Sequence, residues 1–426
     1  MNLIKLIFSL FVQLFKYIFN YENYDNTIIK CLNHIGNYNI IFIKIFQWIW
    51  IKNNNPDNSW LTETISKELY TYTNNTPYNE SDIDYKNLIN IFMIAQKRGD
   101  NLELLDIIPC NSGTISLIFK AKLNNKNIVI KLLRNNIKKK LEDGVNLLIN
   151  IEKILYNTIF FNKIVTTKIF DNNKANILSQ VDLLNEVANM NLFNKSFLKC
   201  PDIIVPNVYS SYTEINSNFI LMDYIDGKYI YELTNEELDK YFDTFIKFIM
   251  NSIFIKNILH CDLHQGNILF YKETTEENNQ LYKIGIIDMG MITKINVREL
   301  NFMYLWLMAI YNDKFADFLD YLKDPKNYLH LYEQTTNIIE CIDHVQSLYE
   351  KKELFQESNT KKIVNDVYKF LTILKQYNCR LASRYNFFIL SLIPILTLIV
   401  NLGPNIEKKY MVKDYLEKMS NNDLLD

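Results

Sequence analysis

The chain has 426 residues, of which 48% are hydrophobic and 22% are charged, and its formal net charge is −2 at pH 7. This length allows two or three domains, and the hydrophobic content excludes a disordered protein. The balanced charge argues against a nucleic-acid binder, which usually carries a basic face. The six cysteines include no Cys-x-x-Cys pair, which excludes a disulfide scaffold and a zinc ribbon and fits a reducing compartment.

The composition is biased towards residues with AT-rich codons. There are nine glycines and eight prolines, and only five of the 46 basic residues are arginine. An AT-rich genome explains this bias without any selection on the protein. Isoleucine, lysine and asparagine are therefore weak indicators of function in this chain, whereas a glycine, histidine or arginine that persists is a stronger one.

The first predicted element is an apolar helix over residues 3–19. Its polar residues recur at steps of four, four and three and line one helical face: Lys5, Ser9, Gln13 and Lys16. This pattern favours a helix that lies in a membrane surface. Two alternatives stay open, namely a membrane span, for which the charge-free stretch Leu6–Phe15 is short, and a helix that covers an apolar groove of its own protein. A signal peptide is disfavoured, because no small-residue cleavage site follows.

Short helices and a first β-hairpin are predicted next. A helix over Trp60–Tyr72 lies between two Asn-rich breaks. Loose alternation over Ile115–Leu123, a turn at Asn124-Asn125 and an apolar run over Ile128–Leu133 predict the hairpin. One further helix and two strands follow in this half: Val181–Leu192, Ile203–Val208 and Asn218–Tyr224.

The second half is predicted to be mainly helical, with one hairpin. Thr234 is the expected N-cap of a long helix over Asn235–Leu259. Strands over Ile268–Tyr271 and Tyr282–Ile287 form the second hairpin, and the rest is predicted to be helical. The uncharged segment Tyr385–Ile406 is either a kinked membrane span or a buried core helix, and its short apolar centre favours a core or monotopic helix.

The strongest chemical signal combines residues 260–267, HCDLHQGN, with Asp288-Met-Gly290. Asp262 and Asn267 are five residues apart, and Asp288 lies across the second hairpin from them. Phosphoryl transfer uses one Asp to orient or deprotonate the acceptor, and an Asn and a second Asp to hold magnesium on the phosphates. This pattern predicts Asp262 as a catalytic residue and Asn267 and Asp288 as metal ligands.

A zinc site is the alternative for the same segment. It would be built from His260, Asp262 and His264. No helical H-E-x-x-H frame and no further ligand cluster supports it. The order in which the phosphoryl-transfer residues occur, on the expected elements, favours the kinase-like interpretation.

Upstream residues complete a nucleotide site. Lys131 ends an apolar strand of the form in which a lysine pairs with nucleotide phosphates, and Glu186 on a later helix is its expected acidic partner. Ser112-Gly113-Thr114 stands where a phosphate-covering loop is expected, without a G-x-G-x-x-G pattern. The remaining cofactor-binding candidates lie where a strand runs into a hinge: Met222, Asp223 and Tyr224.

The stretch His260–Asn267, read as His-x-Asp-x-His-x-Gly-Asn, resembles the UbiB/ADCK family of atypical kinases with an AarF domain. Four other stretches are similar to the family's Ala-rich loop, E-x-D helix, K-x-G-Q helix and C-terminal helix: Asn111–Leu123, Gln180–Asn189, Phe42–Trp48 and Leu390–Pro404. The resemblance covers about residues 35–405, and its motifs are specific to the family.

The resemblance implies an α+β fold, bilobal and protein-kinase-like, with a helical N-terminal extension. The extension would be residues 1–100, the N-lobe residues 101–222 and the helical C-lobe with the catalytic loop residues 223–426. Five residues match the family's catalytic positions: Lys131, Glu186, Asp262, Asn267 and Asp288. An intact set implies an active member of the family.

Three residues depart from the family pattern. Phe46 replaces the Gly of K-x-G-Q, Gln180 replaces the Glu of E-x-D, and Leu117 replaces a Gln of the loop. In this family the extension is thought to fold over the active site and block large protein substrates. Phe46 is therefore expected to fill space that the family leaves beside exposed backbone.

The resemblance implies a kinase or ATPase that binds ATP with Mg²⁺. It would hydrolyse ATP or transfer phosphoryl to a small or lipid-like acceptor, in quinone or membrane lipid metabolism. The alternative is a nucleotide-gated, pseudokinase-like module that binds a lipid, an isoprenoid or a membrane enzyme complex. An antibiotic-type phosphotransferase would lack the extension matched at Lys44 and Gln47. The expected location is intracellular and at a membrane, with no nucleic-acid partner.

Overall fold

The computed structural model describes residues 3–53, 62–74, 76–156, 174–175, 177–274, 280–311, 314–355, 362–403 and 406–420. The chain forms two compact units. The first comprises Met1–Leu192 and Pro206–Tyr224, and the second comprises Phe193–Val205 and Ile225–Asp426. Trp60 and Pro404, which bound two of the predicted segments, lie outside the described residues.

Helices and strands occur in both units. The helices are α1 (Leu3–Ile18), α2 (Tyr24–Tyr38), α3 (Ile41–Asn53), α4 (Glu63–Asn74), α5 (Tyr85–Arg98), α6 (Ile137–Tyr156), α7 (Leu183–Phe197), α8 (Ser210–Ile215), α9 (Asn235–Met250), α10 (Val297–Tyr311), α11 (Phe315–Lys323), α12 (Pro325–Leu331), α13 (Ile338–Glu350), α14 (Ile363–Gln376), α15 (Ser383–Leu402) and α16 (Ile406–Ser420). The strands are β1 (Leu102–Leu104), β2 (Asn111–Ser112), β3 (Ser116–Leu123), β4 (Lys126–Leu133), β5 (Ile203–Ile204), β6 (Phe219–Asp223), β7 (Ile258–His260), β8 (Ile268–Thr274), β9 (Gln280–Ile286), β10 (Ile292–Lys294), β11 (Tyr332–Thr335) and β12 (Cys379–Leu381). The predicted α+β class is confirmed.

An antiparallel sheet forms the centre of the first unit. Its strands run in the order β1-β3-β4-β6, and β2 also pairs with β3. The turn between β3 and β4 is Asn124-Asn125, whose positive φ angles of 50° and 66° suit a type I′ hairpin. The predicted hairpin is therefore confirmed. Leu117, one of the departures from the family pattern, is fully buried in the core between this sheet and α5.

Helices α2, α3 and α4 form a separate apolar core in the first unit. Phe46 is buried there, with its ring 5.5 Å from the ring of Tyr72. A Cβ built on Gly36 of α2 would lie 3.6 Å from the Phe46 ring, which is an ordinary van der Waals distance, so α2 packs closely on this ring without requiring a glycine. Phe46 thus packs into the apolar core that α2, α3 and α4 form.

The turn between α2 and α3 lies against α6. Asn39 donates from Nδ2 to the Lys140 carbonyl at 2.9 Å and accepts from the Ile41 amide at 2.9 Å. A Cβ on Gly144 would lie 2.5 Å from Asn39 Oδ1, so only glycine permits this approach. The contact joins the N-terminal helices to the helix that follows β4.

Helix α1 presents its apolar side outward. Ile4, Phe8 and Phe11 are 76%, 67% and 65% exposed, whereas Gln13 is only 7% exposed and lies 3.5 Å from His34 on α2. The helix packs against α2. The polar stripe is thus partly covered by protein, and the apolar face is the one left uncovered in the structure.

The second unit is built around α9 and a small sheet. Thr234 caps α9 with a reciprocal capping box to Glu237, as the sequence predicts. Strands β8 and β9 form the predicted second hairpin, and β5 pairs with β9 in parallel. The prediction of a wholly helical remainder is wrong, because β10 pairs with β7 and β11 pairs with β12.

The long helix predicted over Asn235–Leu259 is wrong at its C-terminal end. Helix α9 ends at Met250, a π-helical turn covers Asn251–Ile255, and Ile258–His260 form β7. Asn257 has a left-handed φ of 53° and turns the chain between them. A short apolar run such as this one fits a strand and a helix equally well, so periodicity alone cannot place the boundary.

Among the described residues, one helix is long and apolar enough to cross a membrane, namely α15, Ser383–Leu402. About 61% of its apolar window is buried within the protein. Its Ser391 side chain lies beside Cys261, and burial raises the pKa of the Cys261 thiol to about 12. This packing agrees with the core-helix alternative for the uncharged segment.

Candidate active site

Lys131 and Glu186 form a buried ion pair in the first unit. Lys131 lies near the end of β4 and Glu186 in the first turn of α7, and the Nζ–Oε1 distance is 2.6 Å. The two side chains are 8% and 2% exposed. Because an isolated buried charge is costly, each ion stabilises the charged form of the other. The structure brings together the two residues that the sequence predicts to be partners.

The Ser112–Thr114 loop is held by its own backbone and by its neighbours. The Gly113 amide donates to the Ser116 carbonyl at 2.9 Å, and the Thr76 amide donates to the Ser112 carbonyl at 2.7 Å. A Cβ on Gly113 would meet nothing closer than 3.5 Å. The loop conformation therefore has room for a larger residue than glycine, in contrast to a glycine-rich phosphate loop.

Gln47 on α3 reaches the same loop. Its Nε2 donates to Thr114 Oγ1 at 3.0 Å and to the Tyr72 carbonyl at 2.7 Å. Gln47 is the glutamine of the K-x-G-Q-like stretch. The structure therefore places this stretch against the loop even though Phe46 replaces its glycine.

Arg134 is a residue of this region that belongs to none of the sequence motifs of the site. Its Nε donates to the Gly113 carbonyl at 3.0 Å and its Nη2 to Ser112 Oγ at 2.7 Å. Its Nη1 donates to Asp82 Oδ2 at 3.1 Å, and the side chain is almost fully buried. Burial lowers the pKa of the guanidinium, and Asp82 opposes that shift. The rarity of arginine in this chain is the signal that marks it.

The hinge residues lie at the end of β6. Met222 is buried, and the Asp223 carboxylate contacts Lys126 Nζ at 2.7 Å and Asn207 Nδ2 at 2.9 Å. The backbone amides of Asp223 and Tyr224 donate to the carbonyls of residues 207 and 127. Both amides therefore already have acceptors within the first unit, and their proposed part in nucleotide binding must use other groups.

His260 connects the two acidic segments of the second unit. Its Nε2 donates to the Asp288 carbonyl at 2.6 Å, and its Nδ1 accepts from the Asp262 amide at 3.2 Å. The ring is 2% exposed, and burial lowers its pKa. A neutral ring protonated on Nε2 satisfies both hydrogen bonds, so His260 fixes the backbone on either side of the site.

Asn267 is oriented by the same loop. Its side-chain Nδ2 donates to the Asp262 carbonyl at 2.8 Å, and its backbone carbonyl accepts from the Ile287 amide at 3.1 Å. Asp288 accepts from the Gly290 amide on Oδ1 at 2.9 Å. Strands β8 and β9 set this arrangement, because their pairing of Ile268 with Ile286 brings the two chain ends together.

The donor set fits magnesium. The side-chain nitrogen of Asn267 donates to the Asp262 carbonyl, so the side-chain oxygen of Asn267 points away from that carbonyl. Asp288 supplies a carboxylate. Magnesium prefers oxygen ligands and in nucleotide sites takes one or two protein ligands, with phosphates and water for the rest. Asn267 and Asp288 are the residues that would hold it.

The zinc alternative is not supported. Both ring nitrogens of His260 are used in hydrogen bonds to backbone groups. His264 uses Nδ1 to accept from the Gly266 amide at 3.1 Å. Within the described parts of the chain, no group of three or more His, Cys, Asp or Glu side chains is arranged to hold a metal ion.

We expect the buried His260 to make the second unit less stable in acid. Its pKa is lowered in the folded protein, so the unfolded chain binds the proton more tightly. Its stabilising contribution is complete above about pH 6.5, the usual histidine value, and is lost as the pH falls towards the folded pKa. His260→Gln still donates to the Asp288 carbonyl but cannot titrate, so its free energy of unfolding should fall less on acidification.

Urea denaturation at a series of pH values measures this effect. His344→Gln, on α13 of the same unit, is the control for the loss of a histidine elsewhere. Equal pH slopes for the wild type and His260→Gln would contradict the assignment.

Residues 85–321 match a family model described as the ABC1 atypical kinase-like domain, which is more than half of the chain. The chain belongs to this family. The match includes the loop, Lys131, Glu186 and the residues from His260 to Gly290. It confirms the resemblance to the UbiB/ADCK atypical kinases and the kinase-like fold.

Two curated relatives have low sequence identity to this chain. The chain is 24% identical over 213 residues to a protein of Cellvibrio japonicus named "Probable protein kinase UbiB", which covers 48% of this chain and 38% of the relative. It is 24% identical over 280 residues to "Probable serine/threonine-protein kinase abkB" of Dictyostelium discoideum, covering 62% and 39%. The matched regions thus span about two fifths of the length of these relatives.

One solved structure that matches the chain is Rv3197 from Mycobacterium tuberculosis, determined in complex with erythromycin. It is 14% identical in sequence, with a TM-score of 0.49, and the alignment covers 84% of this chain and 86% of Rv3197.

Proposed function

We propose that the chain is an atypical kinase or ATPase that binds Mg-ATP. It would hydrolyse ATP or transfer phosphoryl to a small or lipid-like acceptor. The buried Lys131–Glu186 pair at 2.6 Å is the observation that supports this most directly. A buried ion pair adds little net stability, because desolvation offsets the attraction between the ions, so its presence at the end of a central strand favours a role such as binding phosphate.

Each of the remaining residues has a distinct proposed part. Asp262 orients or deprotonates the acceptor, and its backbone is fixed by His260 and Asn267. Asn267 and Asp288 hold magnesium, and the ion would neutralise charge on the phosphates. Lys131 contacts the phosphates while Glu186 keeps its ammonium in place.

A nucleotide-gated binding module is the second candidate. The contact between Gln47 and Thr114 supports it, because this bond links the N-terminal helices directly to the loop proposed to cover the phosphates. A nucleotide that alters the loop would then alter the extension. Such a module needs binding of ATP but no turnover, which separates it from an enzyme by experiment.

The test is ATP binding and turnover by the full chain, with and without anionic liposomes and quinone head-group analogues. Turnover that depends on magnesium supports the enzyme, and stimulation by a head-group analogue supports a link to quinone or lipid metabolism. Binding without turnover supports the second candidate. No binding of Mg-ATP under any of these conditions would overturn both.

We also propose that α1 attaches the chain to a membrane surface. Its apolar side is exposed, while Leu6 and Gln13 face α2. Such a helix gains free energy by burying its apolar face at the headgroup boundary, and its lysines are attracted to anionic lipid. A helix that covered a groove of its own protein would instead bury the apolar side.

We expect a chain that starts at Asn20 to stay folded and bind nucleotide but to lose flotation with liposomes. Replacing Lys5 and Lys16 by Glu should weaken flotation most on anionic vesicles at low salt, because salt screens the charge interaction. Lys86→Glu together with Lys97→Glu, both at exposed positions of α5, is the matched control for the reversal of two surface charges. Undiminished flotation of the truncated chain would show that α1 is not the anchor, and its precipitation would favour a docking helix.

A further inference from the structure

Arg134 contacts two separate segments of the first unit. On one side it donates to the Gly113 carbonyl and to Ser112 Oγ in the loop. On the other side it contacts the segment that follows α4, through the Asp82 carboxylate and two carbonyls, those of Thr76 and Pro77. One guanidinium therefore cross-links the loop to the chain that leaves the N-terminal helices.

The two segments also contact each other. The Thr76 amide donates to the Ser112 carbonyl at 2.7 Å, and Thr76 Oγ1 donates to the Tyr72 carbonyl at 3.2 Å. Tyr72 is in turn the acceptor for Gln47. A continuous set of hydrogen bonds thus runs from α3 and α4 to the loop, and Arg134 makes more of these bonds than Gln47 or Thr76 does.

The chemistry of this junction requires arginine. A guanidinium offers five N–H donors in a fixed plane, whereas a lysine ammonium offers three on a flexible stem. Arg134 is 3% exposed, so the acceptors around it are buried as well, and they depend on its N–H groups because water does not reach them. Asp82 balances its charge and also accepts from Lys140 Nζ at 3.0 Å, which fixes the carboxylate from a second direction.

We propose that Arg134 is a positioning residue that sets the conformation of the Ser112–Thr114 loop from the N-terminal helices, and thereby sets the affinity for Mg-ATP. The affinity part rests on the proposed function, and the conformational part does not. Arg134 itself is covered by the loop and the segment around Thr76, so it acts through the loop and not by touching phosphate.

Arg134→Lys tests the proposal with two measurements. Hydrogen exchange should quicken at the Gly113 amide, which now donates to the Ser116 carbonyl. The affinity for Mg-ATP should fall by about tenfold, which corresponds to the loss of one charged hydrogen bond. If turnover is present, KM for ATP should rise while kcat at saturating ATP changes less.

Arg98→Lys is the matched control. Arg98 lies in the same unit, stacks on Tyr212 and pairs with Asp100, away from the loop. Asp82→Asn is the second variant, because it keeps Arg134 and removes the charge opposite it, together with one of the two oxygens that accept from Arg134 and Lys140. It should show the same two changes to a smaller extent. Asp82→Asn carries the test if Arg134→Lys does not fold.

The outcomes separate this inference from the proposed function. The inference would be overturned if Arg134→Lys showed the same hydrogen exchange at the Gly113 amide and the same affinity for Mg-ATP as the Arg98→Lys control. If the wild type does not bind Mg-ATP, the proposed function fails, and exchange at Gly113 alone decides whether Arg134 positions the loop. Quickened exchange with unchanged affinity would overturn the part of the inference that concerns nucleotide.

Discussion

Asp288→Asn should abolish the magnesium-dependent stabilisation of the protein by ATP. The asparagine can still accept from the Gly290 amide through its side-chain oxygen, so the turn after Asp288 is preserved. The negative charge that attracts the ion is lost. Thermal denaturation with Mg-ATP, compared with ATP plus a chelator, measures the effect.

Asp243→Asn is the control for this experiment. Asp243 lies in the same unit, pairs with Lys247 at 2.6 Å and accepts from Tyr415, so its loss perturbs structure without touching the site. The control should keep the full magnesium-dependent shift. An undiminished shift in Asp288→Asn would reject Asp288 as a ligand.

Lys131→Ala should destabilise the first unit and weaken nucleotide binding. The change removes the cation of a buried ion pair, which typically costs about 3–5 kcal/mol of folding free energy. The loss of a charged hydrogen-bond partner should weaken Mg-ATP binding by about 1–3 kcal/mol. Urea denaturation and calorimetric titration measure the two effects separately.

Two further variants sharpen this test. Adding Glu186→Gln to Lys131→Ala also removes the negative charge of the buried Glu186 carboxylate. The double variant should therefore recover part of the stability but none of the nucleotide affinity. Lys126→Ala removes an exposed ion pair from the same strand and should cost no more than about 1 kcal/mol. Unchanged nucleotide affinity in Lys131→Ala would count directly against the assignment.

The parts of the fold that the sequence predicts are those with a local chemical cause. Asparagine tolerates the left-handed backbone conformation, so the pair Asn124-Asn125 predicts the β3–β4 turn. Thr234 and Glu237 form a capping box within four residues, and this marks the start of α9. The partners Lys131 and Glu186 are 55 residues apart, and only the order of motifs along the chain relates them.

The parts that the sequence does not predict depend on partners far along the chain. The end of α9 is set by the pairing of Ile258–His260 with Ile292–Lys294, which no local pattern reveals. The task of Arg134 is set by acceptors between residues 76 and 113. The outward face of α1 is decided by its packing on α2, since the spacing of polar residues fits either orientation of the helix.

The packing of α15 behind the catalytic loop has a consequence for synthesis of the chain. Ser391 lies beside Cys261, and Arg384 donates to Glu299 at 2.9 Å and to the Lys294 carbonyl at 2.6 Å. All strands of the first unit have been made once the ribosome passes Tyr224, whereas the second unit lacks these supports until Ser383–Leu402 has emerged. Because domains fold as units during translation, we expect the loop that carries Asp262 to mature among the last parts of the nascent chain. Stop codons upstream of residue 383 should then yield a first unit that folds and a second that is degraded.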